Sequence, residues 1–267
     1  MNTINTIHEP KVYLVGRPSL TQGLLDFFND NCVTVDFDTK NQGNVRTPIE
    51  YLSKWRIFSP TSEAEILCMT AGKVCYDAFG KGRADPKEYL DHIIASQHGS
   101  VLEHAQWNFI ITGVSRTFSH EHVRHRVGTA ISQRSQRYVD ESKSPSISQP
   151  LINANPEAKK IWEDAITSSK AAYDKLITII SNDLTKASPE ASKTEIRKIV
   201  RSAARSVMPN ATETVIFWSA NARTLRHYIQ LRGTPEAEIE IQRVAKELLS
   251  IMKQEAPNLF NDICLKV

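Results

Sequence analysis

Six of the eight histidines (His92, His98, His104, His120, His122 and His125) fall within 34 consecutive residues, and five arginines with no lysine fall between Arg116 and Arg137. Arginine used to the exclusion of lysine matters because its fork bonds phosphate or carboxylate at two points and keeps its charge when partly buried. The chemistry expected is capture of a small anionic ligand in a fixed pose. Arg124-His125-Arg126, then Gly128, Thr129 and Ser132, then Ser135-Gln136-Arg137-Tyr138, read as a helix end, a turn and a hydroxyl-rich loop. Such a loop presents hydroxyls and backbone N–H groups to a phosphate, with an arginine set on either side. A lone run of charges would instead read as a solvated helix face.

Other chemistries fit less well. His120-Glu121-His122 lacks the H-E-x-x-H spacing of a zinc site, because Arg124 occupies the position of the second histidine, so no metal is expected. No cysteine lies within forty residues of the Arg116 to Arg137 segment, and no histidine and carboxylate stand in triad order with Ser135. Gly80-Lys81-Gly82 is neither a dinucleotide fingerprint nor a P-loop, so a nucleotide cofactor would bind in some other manner. The competing class is a protein that grips single-stranded nucleic acid with the Arg/His cluster. That class wants aromatics interleaved with the basic residues, and only Phe118 and Tyr138 lie between Arg116 and Tyr138.

Positioning such residues needs a framework, and the periodicities supply one. Lys11 to Val15 predicts a strand, followed by Leu20, Leu24, Leu25 and Phe28 at helical spacing. Ser62 with Glu65 is a capping box; Asp85-Pro86, Asn155-Pro156, Ser188-Pro189 and Thr234-Pro235 are helix starts. Gln106 to Val114 alternates as a strand, and Ser115 is expected to open a helix that runs through the arginine-rich segment. Arg197 and Arg201 read as one solvated helix face, and Trp107, Trp162 and Trp218 as core. Glu103 and His104 fit either backbone pairing or a role in the site. The fold expected is α+β, a mixed sheet flanked by several long helices: one domain over 61–267 with an N-terminal elaboration over 1–60.

With 40% hydrophobic residues in 267, a sizeable core is possible, and 33 basic against 30 acidic residues leave only +3. That balance argues against a protein whose main task is coating nucleic acid or an anionic membrane. No apolar run is long enough for a membrane span or signal peptide, and Cys32, Cys68, Cys75 and Cys264 include no C-x-x-C pair. The expectation is a cytoplasmic protein with reduced, buried thiols.

Taken together, the motifs resemble the flavin-dependent thymidylate synthases. Their signature is R-H-R, about seven residues, then S-x-R-Y; here Arg124-His125-Arg126 is followed, after eight residues, by Ser135-Gln136-Arg137-Tyr138. His98-Gly99-Ser100 with Glu103-His104 is similar to the family's H-G-[ST]-x-x-E-H segment, and Val114-Ser115-Arg116 with His120-Glu121 to its lead-in. Arg205-Ser206-Val207-Met208-Pro209 is similar to its A-R-x-[VL]-L-P helix end, and Asn221-Ala222-Arg223 with Leu231-Arg232 to its N-A-R…L-R helix. Ser132-Gln133 stands where the family usually has Asn-Glu, and His227 where it often has Asn.

The resemblance implies conversion of dUMP to dTMP, with methylenetetrahydrofolate as carbon donor, FAD as hydride carrier and NADPH or NADH as reductant. It implies FAD contacts from Ser100, Arg124, His125, Arg126, Gln133, Asn221, Arg223 and His227. It implies dUMP contacts from Glu121, Arg124, Gln133, Arg134, Ser135, Gln136, Arg137, Arg205 and Arg232, with Arg232 at the uracil ring as the catalytic residue and no cysteine adduct. A homotetramer with sites shared between chains is also implied, as are no nucleic-acid partner and no membrane. His125, between two arginines, is expected to be a neutral hydrogen-bonding group.

Overall fold

The computed structural model describes residues 5–31, 61–79, 83 and 85–265. Alternating large apolar side chains build its centre. A two-residue parallel ladder joins β1 (Thr6–Ile7) to β5 (Ser146–Ile147). The main sheet has β2 (Lys11–Gly16), β3 (Gln106–Ser115), β4 (Thr129–Gln133) and β6 (Glu213–Asn221) in the order β2-β3-β6-β4, antiparallel throughout. Trp107, Phe109 and Ile111 of β3 and Ile216, Trp218 and Ala220 of β6 point to one face and are wholly buried. Each of the larger of these side chains contributes about 1.5–3 kcal/mol through burial. On the opposite face Tyr13, Ile110 and Phe217 form a cross-strand row that is partly open to solvent.

The core face is covered by α2 (Glu63–Cys75), α3 (Pro86–Ala95), α8 (Ala222–Arg232) and α9 (Ile239–Glu255), with the short α10 (Pro257–Phe260) closing one end. Of the N-terminal segment, the described part puts β2 on the sheet edge beside β3, and α1 (Gln22–Asp30) inserts Phe28 into the core. The Ser62 capping box forms in full: the Ser62 hydroxyl accepts from the Glu65 backbone at 3.3 Å, and Glu65 accepts from the Ser62 backbone at 2.7 Å. Asp85 caps α3, and after the short α5 (Pro150–Asn153) Asn155 caps α6 (Pro156–Ala187), a single helix of 32 residues.

Several expectations are corrected. The helix opened by Ser115, α4 (Arg116–His122), stops before Arg124 instead of running through the arginines. The stretch from Thr129 to Ser132, expected as a loop, is β4: its small polar residues hid the alternation, and pairing with β6 decides the conformation. Pro189 lies in a turn after α6, so α7 (Lys193–Ala204) begins under Ser192, with Glu195 completing a second capping box. Thr234-Pro235 likewise precedes α9, whose cap is Glu238, while the Thr234 carbonyl accepts from the Gln242 side chain at 2.7 Å. Trp162 is only partly buried on α6, and Cys75 and Cys264 are exposed, leaving Cys68 as the buried thiol among the described residues. Arg201 is no solvated charge: it donates to the Tyr138 carbonyl at 2.6 Å and pairs with Asp140. Cys32 and Gly80-Lys81-Gly82 lie outside the described residues.

Candidate active site

The R-H-R motif sits in the turn between α4 and β4. Ser115 starts α4, its hydroxyl accepting from the Phe118 backbone at 3.1 Å and donating to buried Glu240 at 2.8 Å. After α4 the chain bends through Arg124–Val127, passes Gly128 in the left-handed region (φ +68°) and enters β4. This turn is fastened to the start of α8. The Asn221 N–H donates to the Gly128 carbonyl at 3.2 Å, and the Thr224 hydroxyl donates to the Val127 carbonyl at 2.7 Å. Asn221 is itself the cap of α8, accepting from the Thr224 backbone at 2.9 Å.

Between turn and helix lies a cavity of about 450 Å³ lined by Glu103, Arg124, His125, Arg126, Val127, Asn221, Arg223, Thr224 and His227. Three guanidinium groups and the N-terminus of an eleven-residue helix face one carboxylate there. Both the charges and the helix end favour an anion. Arg223 is held by Glu103 at 2.6 Å and by the close approach of Gly99, where a Cβ would lie 2.9 Å from its Nε. A second cavity, about 340 Å³, contains Ser100 and His98 and shares Arg223 with the first.

At the far end of α8, Arg232 donates from Nε to His125 Nε2 at 3.0 Å and from an Nη to Glu121 at 3.0 Å. That bond assigns the His125 ring proton to Nδ1. Burial first, then the neighbouring Arg232 guanidinium and the His227 ring, lower the His125 pKa to about 4, so the ring is neutral near pH 7. Neutrality thus has a different cause from the one the sequence offered, since Arg124 and Arg126 are exposed and do not set it.

The remaining candidates gather at the opposite end of β4. Gln133, the last residue of that strand, donates to the Thr214 hydroxyl at 3.2 Å. Four residue-to-residue steps separate it from Thr129, about 13 Å of rise. Arg134 is engaged internally: its guanidinium bonds the Glu213 carbonyl at 2.7 Å and lies near wholly buried Glu141, which Arg116 also approaches at 3.7 Å. Ser135 accepts from the Arg137 backbone at 3.3 Å, Gln136 is half-buried beside it, and the Arg137 side chain is exposed. Arg205 is exposed in the 3-10 turn that ends α7. The chain therefore brings Arg124, His125, Arg126, Asn221, Arg223, His227, Glu121 and Arg232 together, and holds Gln133 to Arg137 with Arg205 as a second group.

Thr224 and Val127 line the first cavity although no motif marks them, and Glu103, which in the sequence fits either of two readings, lines it as well. An Asn cap three residues ahead of Thr224 was the available signal for the first. Of the two aromatics in the arginine segment, Phe118 is buried and only Tyr138 is exposed, which leaves no stacking track for a nucleic-acid strand. No helix among the described residues is long and apolar enough to cross a membrane.

Residues 56–258 match the family described as thymidylate synthase complementing protein. The flavin-dependent thymidylate synthase of Corynebacterium diphtheriae is 36% identical over 211 residues, covering 78% of this chain and 82% of that protein. That of Mycolicibacterium vanbaalenii is 42% identical over 195 residues, covering 72% and 76%. The crystal structure of the flavin-dependent thymidylate synthase from Helicobacter pylori, complexed with FAD and dUMP, superposes with a TM-score of 0.52 at 26% identity, over 76% of this chain and 96% of that one. With the R-H-R turn, the N-A-R helix and these likenesses in agreement, the chain belongs to the flavin-dependent thymidylate synthases.

Proposed function

We propose that the chain converts dUMP to dTMP in the cytoplasm, with FAD in the cationic cavity, methylenetetrahydrofolate as carbon donor and NADPH or NADH as reductant. The observation that carries this reading is the Arg232 to His125 bond, which joins the R-H-R turn to the end of the N-A-R helix at one place. FAD, when bound, supplies the hydride chemistry. The cavity suits it: Arg124, Arg126 and Arg223 offer fixed positive charge, and Gly128 lets the turn lie against Asn221 where any Cβ would collide.

In this reading Arg124, His125, Arg126, Asn221, Arg223 and His227 hold FAD, with Ser100 and Gln133 as further contacts. Neutral His125 adds a hydrogen-bonding group without a further cation. Arg137 and Arg205, exposed and cationic, bind the dUMP phosphate, with Ser135 and Gln136 beside them, while Arg134 holds the loop in place, its guanidinium bonded to Glu213 and its backbone N–H to the Val215 carbonyl. Glu121 and His125 fix Arg232, which keeps an Nη donor for the uracil carbonyl beside N3. A guanidinium there stabilises negative charge that builds up on the pyrimidine as C5 becomes nucleophilic.

The two residue groups sit at opposite ends of β4, an arrangement that fits a site completed by the Arg137 group of a second copy, as in a homotetramer with shared sites. Single-turnover oxidation of reduced enzyme tests the roles at limiting and saturating dUMP. Arg137→Ala should weaken dUMP binding with the saturated rate kept, since a phosphate contact is present equally in ground and transition states. Arg232→Ala should lose about 10²–10³ in the rate itself. Arg124→Ala should weaken FAD. Rescue of Arg232→Ala by excess dUMP, with Arg137→Ala still slow at saturation, would reverse the assignments.

A further inference from the structure

Behind Arg232 runs a buried series of rings to which the reaction as proposed gives no part. His122, the last residue of α4, is wholly buried. Its ring stacks on Phe118 with centroids 5.1 Å apart and meets Trp218 edge-on at 4.7 Å, and its Nδ1 lies 3.1 Å from the Tyr228 hydroxyl. Tyr228, also wholly buried, sets its ring edge-to-face against His125 at 4.8 Å. His125 in turn accepts the Arg232 Nε–H.

Burial alone favours an apolar side chain at position 122. An imidazole enclosed by Phe118, Trp218 and Tyr228, with an Nε2 that has no partner among the described residues, is an unfavourable choice for packing. What it provides, and a leucine cannot, is a partner for the Tyr228 hydroxyl. We propose that His122 is a positioning residue for the reaction: through Tyr228 it sets the plane of the His125 ring, and through that plane the direction of the Arg232 guanidinium.

Each link is geometric. The hydroxyl bond pins the outer end of the Tyr228 ring, so the ring cannot swing away from His125. An edge-to-face contact holds only while both planes keep their angle, here 70°. An imidazole nitrogen accepts in the plane of its ring, so a tilt of His125 moves the point at which Arg232 can donate. The last turn of α4 then grips one guanidinium from two sides, directly through Glu121 on an Nη and through His122 and two rings on Nε. Misplacement of a reacting group by 1 Å can cost about a hundredfold in rate, so this support bears on the chemical step.

The proposal rests on the reading of Arg232 as the residue at the uracil ring, and the experiment separates the two. Reduced, FAD-loaded enzyme is oxidised in single turnover with saturating dUMP and methylenetetrahydrofolate, for wild type, Arg232→Ala, Tyr228→Phe, His122→Leu, His122→Asn and the Tyr228→Phe/His122→Leu double variant. Tyr228→Phe and His122→Leu are each expected to slow the rate constant by about tenfold, below the full cost of a 1 Å misplacement. FAD content and the KM for dUMP should stay within about twofold, and the double variant should be no slower than either single one. His122→Asn, which can again offer the hydroxyl a partner, should recover most of the rate. A merely structural histidine would give the opposite order, with leucine at least as good as asparagine. The proposal is overturned if Tyr228→Phe turns over like wild type, if leucine and asparagine behave alike, or if the losses lie in KM or FAD content only. Should His122→Leu not fold, Tyr228→Phe, which deletes one oxygen atom, decides. A wild-type rate in Arg232→Ala would remove the reading of the site and the positioning role together; a slow Arg232→Ala beside normal Tyr228 and His122 variants would leave the site reading standing and refute the positioning role alone.

Discussion

Gly128→Ala is a single-methyl perturbation with large expected consequences. The residue has φ +68°, where an alanine in place of glycine costs about 1–2 kcal/mol. The added Cβ would also meet the Asn221 side-chain nitrogen, and would lie 2.5 Å from the Thr224 hydroxyl. Both groups must give way, yet Asn221 caps α8 and Thr224 holds the Val127 carbonyl. Loss of a cap costs about 1 kcal/mol and loss of the hydroxyl bond about as much again. These terms overlap, so the expected total is about 2–4 kcal/mol, or roughly 5–15 °C in the melting temperature of a chain of this length. Because the same bonds bring the R-H-R turn against α8, FAD affinity should fall with stability. The assay is thermal melting without ligand, followed by FAD titration, with Gly128→Ala placed in the wild-type and in the Asn221→Ala background. Without the Asn221 amide part of the clash is gone, so the added cost of Gly128→Ala must shrink there. A wild-type melting temperature, or the same cost in both backgrounds, would refute the reasoning.

Two further outcomes follow from the buried groups. Burial lowers the His122 pKa to about 3 against an unfolded value near 6.5, so below pH 6.5 the unfolded chain takes up a proton that the folded chain refuses. Stability should fall as pH falls from about 6.5 towards 4, by at most about 1.4 kcal/mol per pH unit from this group, and His122→Leu should flatten the pH profile of the melting temperature; equal slopes would exclude His122 as the cause. Replacing Cys32, Cys68, Cys75 and Cys264 together by Ala or Ser should leave dTMP formation in place, because burial raises the Cys68 thiol pKa to about 12 and neither Cys75 nor Cys264 lines the R-H-R cavity. Loss of turnover in a folded, FAD-loaded variant would point to a covalent cysteine step.

The parts of this molecule legible in the sequence are those with a local physical cause. Ser62 with Glu65, Asp85-Pro86 and Asn155-Pro156 mark helix starts within four residues, and each forms as read. β4 was illegible because Thr129, Ala130, Ser132 and Gln133 carry no apolar alternation; the partner strand β6, more than eighty residues away, makes it a strand. Pro189 and Pro235 misled because proline at N1 and proline in a preceding turn look alike without the cap residue beyond. In the site, the R-H-R turn and the N-A-R helix could be found by pattern. That His125 and Arg232 bond each other could not, since 107 residues separate them, nor could the burial that keeps His125 neutral. Arg134 shows the converse: composition groups it with the ligand-binding arginines, whereas its guanidinium is taken by Glu213 and Glu141.

Strands β4 and β6 are neighbours in the sheet, yet the chain between them makes the whole excursion through α6 and α7. In effect they form one hairpin with an enormous loop. Closing a longer loop costs only about 0.6 kcal/mol per doubling of length, so insertions or deletions that keep the α6 and α7 helices packed are cheap. The ladder has no such freedom. Sliding β4 by one residue against β6 would turn Ile131 out of the core and carry Gly128 away from Asn221, undoing the turn and the helix start together. Length is thus the elastic dimension of this chain and register the rigid one, and the two lie side by side between Gln133 and Glu213.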